Sequence, residues 1–150
     1  MRISFKGDYA LKTLLDLAVH YPRLEHVEEI ARRQDIPLKF LEQIILELKK
    51  GGFVKSKKGP GGGYVLAKEP AKIFLGEAIE FIDGPLEPIT CVSARDKTNC
   101  DYAGRCSLYE VFKDIGDYVR QKVDNISLAE LKERQLKKAM KKKKYLDYSI

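Results

Sequence analysis

What the sequence lacks narrows the classes of function. Its 150 residues include no apolar run long enough to span a bilayer, so we expect no membrane partner. The opening residues, MRISFKGDY, lack the apolar core of a secretion signal, which favours a cytoplasmic location. Nothing in the sequence suggests a catalytic nucleophile paired with its base, so we do not expect an enzyme.

Cysteine is scarce and confined to one segment. The three thiols, Cys91, Cys100 and Cys106, have the spacing C-x8-C-x5-C. An odd number of cysteines without an export signal favours metal or redox chemistry over a disulfide framework. Thiolates select iron–sulfur clusters, zinc or cuprous ions, but this spacing is not a recognised zinc pattern. From these residues alone, a metal site and three small buried side chains are equally supported.

The formal charge of +6 is unevenly distributed. Residues 1–70 carry 13 Lys and Arg against 9 Asp and Glu, and residues 71–126 carry 7 against 10. Residues 127–150 carry 8 against 3, and we expect this basic end to be solvated. A basic first part and a mildly acidic middle predict a polyanion-binding domain, residues 1–70, joined to a part with another role, residues 71–150.

Apolar residues at helical spacing predict three helices in the first part of the chain, at Phe5–His20, Val27–Gln34 and Leu38–Lys50. Pro22 ends the first helix, and Gly51-Gly52 closes the third. The residues expected to face the core are Leu11, Leu14, Leu15, Ala18, Val27, Ile30, Ala31, Leu41, Ile44, Ile45 and Leu48.

A small alanine in the second helix, a tight connection and an apolar face on the third helix are the pattern of a helix-turn-helix. Ala31 allows the two helices to cross closely. The third helix would then enter the major groove and present Lys39, Phe40, Glu42 and Gln43 from its outer face. Glutamate accepts a hydrogen bond from the cytosine amino group, and glutamine pairs with adenine. A plain pair of helices with a solvated face is the alternative.

Two β-prone runs, Phe53–Lys57 and Tyr64–Leu66, flank a glycine-rich loop and predict a hairpin. No Gly-Lys-Ser/Thr follows, so a nucleotide-phosphate loop is disfavoured. A tip with few side chains can approach a phosphate backbone closely, and lysines would hold it there. The residues expected to do so are Lys55, Lys57, Lys58, Gly61 and Gly62. An ordinary solvated hairpin is the alternative, but a basic hairpin directly after these helices favours a winged helix that binds double-stranded DNA.

Apolar periodicity and capping residues predict three more helices in the second part of the chain. One spans Leu75–Asp83, a long one runs from a capping Ser107 to about Val123, and a Ser127–Glu130 capping box opens the last. The long helix has too many apolar residues for a lone arm, so we expect a second copy of the chain to cover them. These residues are Leu108, Val111, Phe112, Ile115, Val119 and Val123. The fold class is therefore mainly α with one small β-hairpin: a winged helix-turn-helix domain, a long dimerisation helix and a cysteine loop.

Several stretches together resemble the iron–sulfur-sensing winged-helix regulators of the Rrf2 family, typified by IscR and NsrR. They are MRISFKGDYAL, LKFLEQIILELKKGGFVKS, KGPGGGYVLAK, LGEAIEFIDG, the cysteine segment and NISLAEL, and the similarity extends to about Leu136. The resemblance implies a homodimeric transcriptional regulator that binds an operator of two half-sites. It also implies that Glu42 and Gln43 read bases and that Lys58 takes the place of a wing arginine in the minor groove. Lys39 stands where IscR carries a small polar residue, which leaves the operator sequence open.

The resemblance further implies an iron–sulfur cluster held by the three cysteines. The histidine that completes the IscR site is Tyr109 here, whereas the aspartate that completes the NsrR site from the partner subunit corresponds to Asp8. Asp8 is thus the expected fourth ligand, and Glu110 is the local alternative. By this resemblance a 2Fe–2S cluster is favoured. The first cysteine gap is longer than in those proteins, which leaves 4Fe–4S open. His20 and His26 are expected to be exposed residues near helix ends.

Two rival functions account for parts of the sequence. A cluster-free regulator of the same family would respond to a protein partner or a thiol switch. An electron-transfer iron–sulfur protein would explain the cysteines, but it leaves the Glu42-Gln43 helix and the lysine-lined hairpin without a purpose.

Overall fold

The computed structural model describes residues 3–93, 102 and 105–147, with side chains up to residue 141. This part of the chain contains six helices and one two-stranded antiparallel sheet, which confirms the predicted fold class. The helices are α1 Phe5–His20, α2 Val27–Gln34, α3 Leu38–Lys50, α4 Leu75–Asp83, α5 Ser107–Val123 and α6 Leu128–Asp147. The strands are β1 Val54–Lys57 and β2 Gly63–Leu66, and Pro70–Lys72 and Thr90–Val92 form short 3-10 turns. The bounds of α1 to α4 coincide with those predicted.

The core lies between α1, α2 and α3. The inner face of α3 is formed by the four residues predicted for it, Leu41, Ile44, Ile45 and Leu48. In α1 the prediction holds for Leu14 and Ala18, whereas Leu11 and Leu15 are only half-buried and Leu17 is fully buried. The reason is that α1 contacts α2, α3, α4 and α6, so its buried surface is wider than a single amphipathic stripe.

The hairpin has a third extended partner that the sequence did not suggest. Strands β1 and β2 pair antiparallel from Val54 opposite Leu66 to Lys57 opposite Gly63. Glu25, in the connection between α1 and α2, pairs with Tyr64 on the other edge of β2 through backbone hydrogen bonds of 2.9 and 2.8 Å. The hairpin is thereby attached to the first two helices.

A buried ion cluster joins this connection to α1 and α2. The guanidinium of Arg33 donates to both carboxylate oxygens of Asp16, at 3.0 and 2.6 Å, and to Glu25 at 2.7 Å. Gln34 donates to Asp16 at 2.9 Å. The hydrogen bonds to Asp16, and then to Glu25, raise the pKa of Arg33 above its ordinary value. His20 donates from Nδ1 to the backbone carbonyl oxygen of Asp16 at 2.8 Å. His20 is half-buried rather than exposed as expected, whereas His26 is exposed.

The second part of the chain packs onto the first through Ile73, just before α4, and Leu128, the first residue of α6. The segment before α4 pairs with the start of α6, since Leu75 N donates to Ile126 O and Leu128 N donates to Ile73 O, both at 2.9 Å. The side chains of Ile73 and Leu128 are buried in the same core as those of α1 and α3. The predicted division at residue 70 stays a prediction about function.

One of the two predicted helix caps is confirmed. The backbone N–H of Glu130 donates to Ser127 Oγ at 3.2 Å, as expected for the cap of α6. Ser107 is not the cap of α5: the N-cap is Cys106, whose backbone is extended and whose side chain makes no capping hydrogen bond. Of the helices in the described residues, none has the length and apolar character needed to cross a membrane.

Replacing Arg33 by leucine should lower the free energy of unfolding by about 3 kcal/mol, because it leaves two buried carboxylates without their cation. Arg32→Leu is the matched control: Arg32 contacts Glu29 at 2.6 Å but is 74% exposed, so its loss should be much smaller. Urea unfolding of both variants measures the difference. Equal losses would show that the buried cluster does not govern stability.

Gly62→Ala should distort the hairpin tip. A Cβ at residue 62 would lie 2.3 Å from the Lys57 carbonyl oxygen and 2.8 Å from that of Gly59, so the turn must open at a cost of about 1–3 kcal/mol. Gly61→Asn is the control, since Gly61 has φ +69°, nothing lies within 4 Å of its Cβ position, and asparagine tolerates this region. Amide exchange of the β1 and β2 residues should accelerate in Gly62→Ala alone; unchanged protection would contradict the steric argument.

Candidate nucleic-acid interface and sensor segment

The outer face of α3 presents the four residues predicted to contact DNA. Lys39, Phe40, Glu42 and Gln43 are all exposed, on the side of the helix opposite its buried face. The Phe40 ring, 61% exposed, borders an apolar groove of about 450 Å³ between α1 and α3. The structure thus places these side chains together on one surface, and their contact with DNA stays a prediction.

The hairpin lies next to the end of α3 and carries exposed lysines. Lys55, Lys57 and Lys58 are exposed, while Val54 at the base of β1 is buried. A side-chain hydrogen bond of 2.7 Å from Lys49 Nζ to Ser56 Oγ connects the end of α3 to β1. No sequence pattern predicts this contact, because Lys49 and Ser56 lie in different elements.

The glycines of the tip have different structural roles. Gly59 and Gly61 have φ of +95° and +69°, a region that favours glycine, and both are exposed. Gly62 is buried and donates its N–H to Gly59 O at 2.8 Å, so it shapes the turn from within. Gly63, with φ +150°, has no room for a Cβ, which would lie 2.7 Å from Glu25 O.

Helix α4 contacts the junction between α3 and the hairpin. The ring of Phe81 lies against Phe53, with centroids 5.3 Å apart and planes tilted by 51°. It also covers Gly51, where a Cβ would lie 2.5 Å from the ring. Glycine after α3 therefore allows the α4 aromatic to approach the junction closely, a packing reason that sequence reasoning missed.

The same helix fixes the start of α1. The carboxylate of Asp83 accepts from the backbone N–H of Ser4 at 2.9 Å and from its hydroxyl at 2.5 Å. Ser4 is the N-cap of α1, and its Oγ accepts from Gly7 N at 2.9 Å. The first turn of α1, which contains Asp8, is thus attached to the end of α4.

A second ion cluster joins α4, α5 and the loop that leads to Cys91. Arg120 donates to Glu87 Oε1 through Nε at 2.8 Å and Nη2 at 2.6 Å, and its Nη2 lies 2.6 Å from Glu80 Oε1. Both carboxylates are almost fully buried. Burial would lower the pKa of Arg120, but the hydrogen bond to Glu87 and the charges of both glutamates outweigh it and raise the pKa.

Two of the three cysteines lie at the ends of the segment between α4 and α5. Cys91 lies in the Thr90–Val92 turn and Cys106 is the N-cap of α5; both are free and half-buried. Cys100 lies outside the described residues. Tyr109 is half-buried in the first turn of α5, and Glu110 beside it is exposed.

Asp8 lies in the first turn of α1 with an exposed carboxylate. It pairs with Lys12 at 2.6 Å, and this hydrogen bond raises the pKa of Lys12. The carboxylate borders an open surface cavity of about 720 Å³ lined by Ile3, Ser4, Phe5 and Leu11. No three His, Cys, Asp or Glu side chains converge on a metal-binding position within the described ranges.

The donor chemistry of these residues nevertheless suits an iron–sulfur cluster. Thiols are its usual ligands, and the described ones, Cys91 and Cys106, are free rather than joined in a disulfide. The carboxylate of Asp8 is exposed and held only by a surface ion pair, so a second chain could reach it. The residues therefore fit such a group.

Helix α5 carries a stripe of exposed apolar residues. Leu108, Val111, Ile115 and Tyr118 are between 45% and 64% exposed and recur at spacings of three and four. This is the pattern of a helix that pairs with another helix. Phe112, Val119 and Val123, also predicted for this face, are half-buried. Coverage of the stripe by a second copy of the chain stays a prediction.

Residues 3–134 match the family described as Rrf2, iron-dependent transcriptional regulator. The HTH-type transcriptional regulator IscR of Xenorhabdus nematophila is 35% identical over 136 residues, 90% of this chain and 81% of that protein. Among solved structures, CymR (YrzC), the global cysteine regulator of B. subtilis, has a TM-score of 0.75 at 30% identity, covering 89% of this chain and 98% of that one. T. potens IscR has a TM-score of 0.72 at 29% identity, covering 90% and 88%.

These relatives are transcriptional regulators, so the expectation that the chain is not an enzyme is confirmed. The family match also confirms the resemblance inferred from the sequence motifs, and it extends over both the helix-turn-helix and the cysteine segment. The chain belongs to the Rrf2 family of winged-helix transcriptional regulators.

Proposed function

We propose that the protein binds, as a homodimer, an operator of two half-sites, and that an iron–sulfur cluster controls its affinity for that DNA. Residues 1–70 would read the operator, and residues 71–150 would dimerise and sense. The observation that carries the proposal is the placement of the exposed face of α3 beside the lysine-bearing hairpin, joined by the hydrogen bond between Lys49 and Ser56.

The DNA contacts divide by chemistry. Glu42 and Gln43 would contact base edges in the major groove, where each good pair is worth about 1–3 kcal/mol of discrimination. Lys39 and Phe40 border them on the same exposed face. The hairpin would contact phosphates through Lys55 and Lys57 and the minor groove through Lys58, and its tip at Gly61 and Gly62 would allow close approach to the backbone.

The cluster would be held by Cys91, Cys100 and Cys106, with Asp8 of the partner subunit as the fourth ligand. A 2Fe–2S cluster is favoured, and 4Fe–4S is the alternative. When bound, this group would supply a link between the two chains that is sensitive to redox state and nitric oxide. Asp8 would have to release Lys12, and that costs little because both side chains are about half exposed.

Helix α4 provides a route from this site to the DNA-binding face. Its Glu80 contacts Arg120, which also holds Glu87 of the loop that leads to Cys91. Its Phe81 packs at the junction of α3 and β1, and its Asp83 holds the N-cap of α1. A change in the cysteine segment that shifts α4 would therefore shift both α3 and the turn that contains Asp8.

A cluster-free regulator with a thiol switch is the second candidate. It is supported by the two free thiols at the ends of the cysteine segment and by Tyr109 in place of the IscR histidine. The structure of CymR is also as similar to this chain as that of IscR.

Protein isolated without oxygen should contain iron and sulfide, and loss of the cluster should change operator affinity by about ten- to hundredfold. Asp8→Ala should abolish this difference, because it removes the ligand that joins the subunits. Glu110→Ala, the control, should retain it. Fluorescence anisotropy with labelled operator, combined with iron and sulfide assays, provides the measurement.

Two results would contradict the proposal. Equal operator affinity of loaded and cluster-free wild-type protein would exclude cluster control. A colourless protein without iron, whose operator affinity changes on thiol oxidation, would favour the second candidate.

Phe81→Leu should leave the iron content unchanged, since Phe81 is not one of the proposed ligands, but it should reduce the affinity difference between loaded and cluster-free protein severalfold. The reason is that leucine cannot reproduce the contact of the ring with Phe53 and Gly51. Phe74→Leu, at the other end of α4 and equally exposed, is the control. An unchanged affinity ratio in Phe81→Leu would show that coupling does not pass through α4.

A further inference from the structure

The outer face of α3 carries an apolar side chain in addition to the proposed DNA contacts. Leu46 is 54% exposed, whereas the four apolar residues of the inner face are at most 3% exposed. At about 100° per residue, Leu46 lies about 150° from the centre of that inner face. Its isobutyl group is therefore directed away from the core.

Leu46 belongs to a single stripe along the helix. Lys39, Gln43, Leu46 and Lys50 follow one another at spacings of four, three and four residues, and all are exposed. The stripe is about 16 Å long, since each residue rises about 1.5 Å along the helix. A surface that contacts Gln43 therefore also faces Leu46, which lies one turn further along the helix. The ammonium groups of Lys39 and Lys50 lie at the two ends of the stripe.

The chemistry of Leu46 restricts what it can recognise on DNA. An isobutyl group neither donates nor accepts a hydrogen bond, so it gains only from an apolar group that it can bury. The edges of base pairs in the major groove consist of hydrogen-bond donors and acceptors, and the 5-methyl group of thymine is the apolar group among them. The two lysines of the stripe would be attracted to the phosphates on either side of the groove.

We infer that Leu46 is a specificity-determining residue that contacts a thymine methyl group beyond the bases read by Glu42 and Gln43. The inference rests on the proposed DNA binding through α3 and is independent of the cluster. Burial of one methyl group is worth about 0.8 kcal/mol, which corresponds to roughly fourfold in affinity for each half-site. For the two half-sites together this gives about fifteenfold.

Uracil scanning of the operator tests this contact. The probe is a duplex selected by the wild-type protein from a random DNA pool, in which each symmetry-related pair of thymines is replaced by deoxyuridine, which lacks only the methyl group. Wild-type protein should lose about fifteenfold at one pair of thymines. Leu46→Ala should bind the unsubstituted operator more weakly by a similar factor and should no longer distinguish thymine from uracil at that pair.

Two further variants separate recognition from folding and from general surface effects. Leu46→Met keeps an apolar side chain of similar length and should retain most of the discrimination. Leu136→Ala makes the same truncation at a half-exposed leucine of α6 and should leave the uracil profile unchanged. Thermal unfolding of all three should be close to that of wild type, because these side chains are exposed.

The possible outcomes are distinct. A uracil profile that is identical in wild type and Leu46→Ala, or a wild-type profile with no sensitive thymine, would overturn the inference while the proposed function stands. A change in oligomeric state in Leu46→Ala would assign the residue to a protein interface and would also overturn it. Failure to select any duplex from the pool would overturn the proposed function, and the inference with it.

Discussion

The contact between Arg33 and the buried carboxylates of Asp16 and Glu25 constrains the helical core to which the hairpin is attached. It joins α1, α2 and the connection between them, and the backbone of that same connection pairs with β2. Apolar packing restricts the angles between helices only to within about 15–20°. A guanidinium that donates to both oxygens of a carboxylate accepts a narrow range of orientations. The cluster therefore constrains the orientation of α1, α2 and their connection, with which β2 pairs, in addition to its effect on stability.

A second arginine has the corresponding role in the second part of the chain. Arg120 of α5 contacts Glu80 of α4 and Glu87 of the loop before Cys91. The guanidinium of the long helix therefore neutralises buried carboxylates from both elements. Helix α4 then passes this constraint to the first part of the chain through Phe81 and Asp83. Helix α4 is thus in contact with both the loop before Cys91, through Arg120, and the α3 junction.

The sequence predicts the elements of this fold well and its long-range contacts poorly. The periodicity of α3 is strong because one side of that helix is buried, and its four inward residues were correctly assigned. Helix α1 is surrounded by other elements, so its buried surface is wider than the predicted apolar stripe. The buried residues Thr13, Asp16 and Leu17 lay outside that stripe. Neither Arg33 nor Arg120 differs in its local sequence from the other arginines, because pairing with buried carboxylates depends on residues in other elements. The same holds for Gly51, whose function is to admit a ring from α4.

The magnitudes of the α4 contacts match what regulation of DNA binding requires. A hundredfold change in affinity corresponds to about 2.7 kcal/mol between the two states of the protein. A pair of aromatic rings contributes about 0.5–1.5 kcal/mol beyond its buried area, and a hydrogen bond to a charged group contributes about 1.5–3 kcal/mol. Partial loss of the Phe81–Phe53 contact together with the Asp83–Ser4 hydrogen bonds would thus be sufficient, and the core of the winged helix would not need to unfold. Because Asp83 holds the turn that contains Asp8, a shift of α4 would act on the proposed ligand as well as on α3. Coupled binding equilibria are reciprocal. If the state of α4 that positions Asp8 toward the partner subunit has the higher operator affinity, operator binding favours that state by the same factor. If that state has the lower operator affinity, operator binding disfavours it by the same factor.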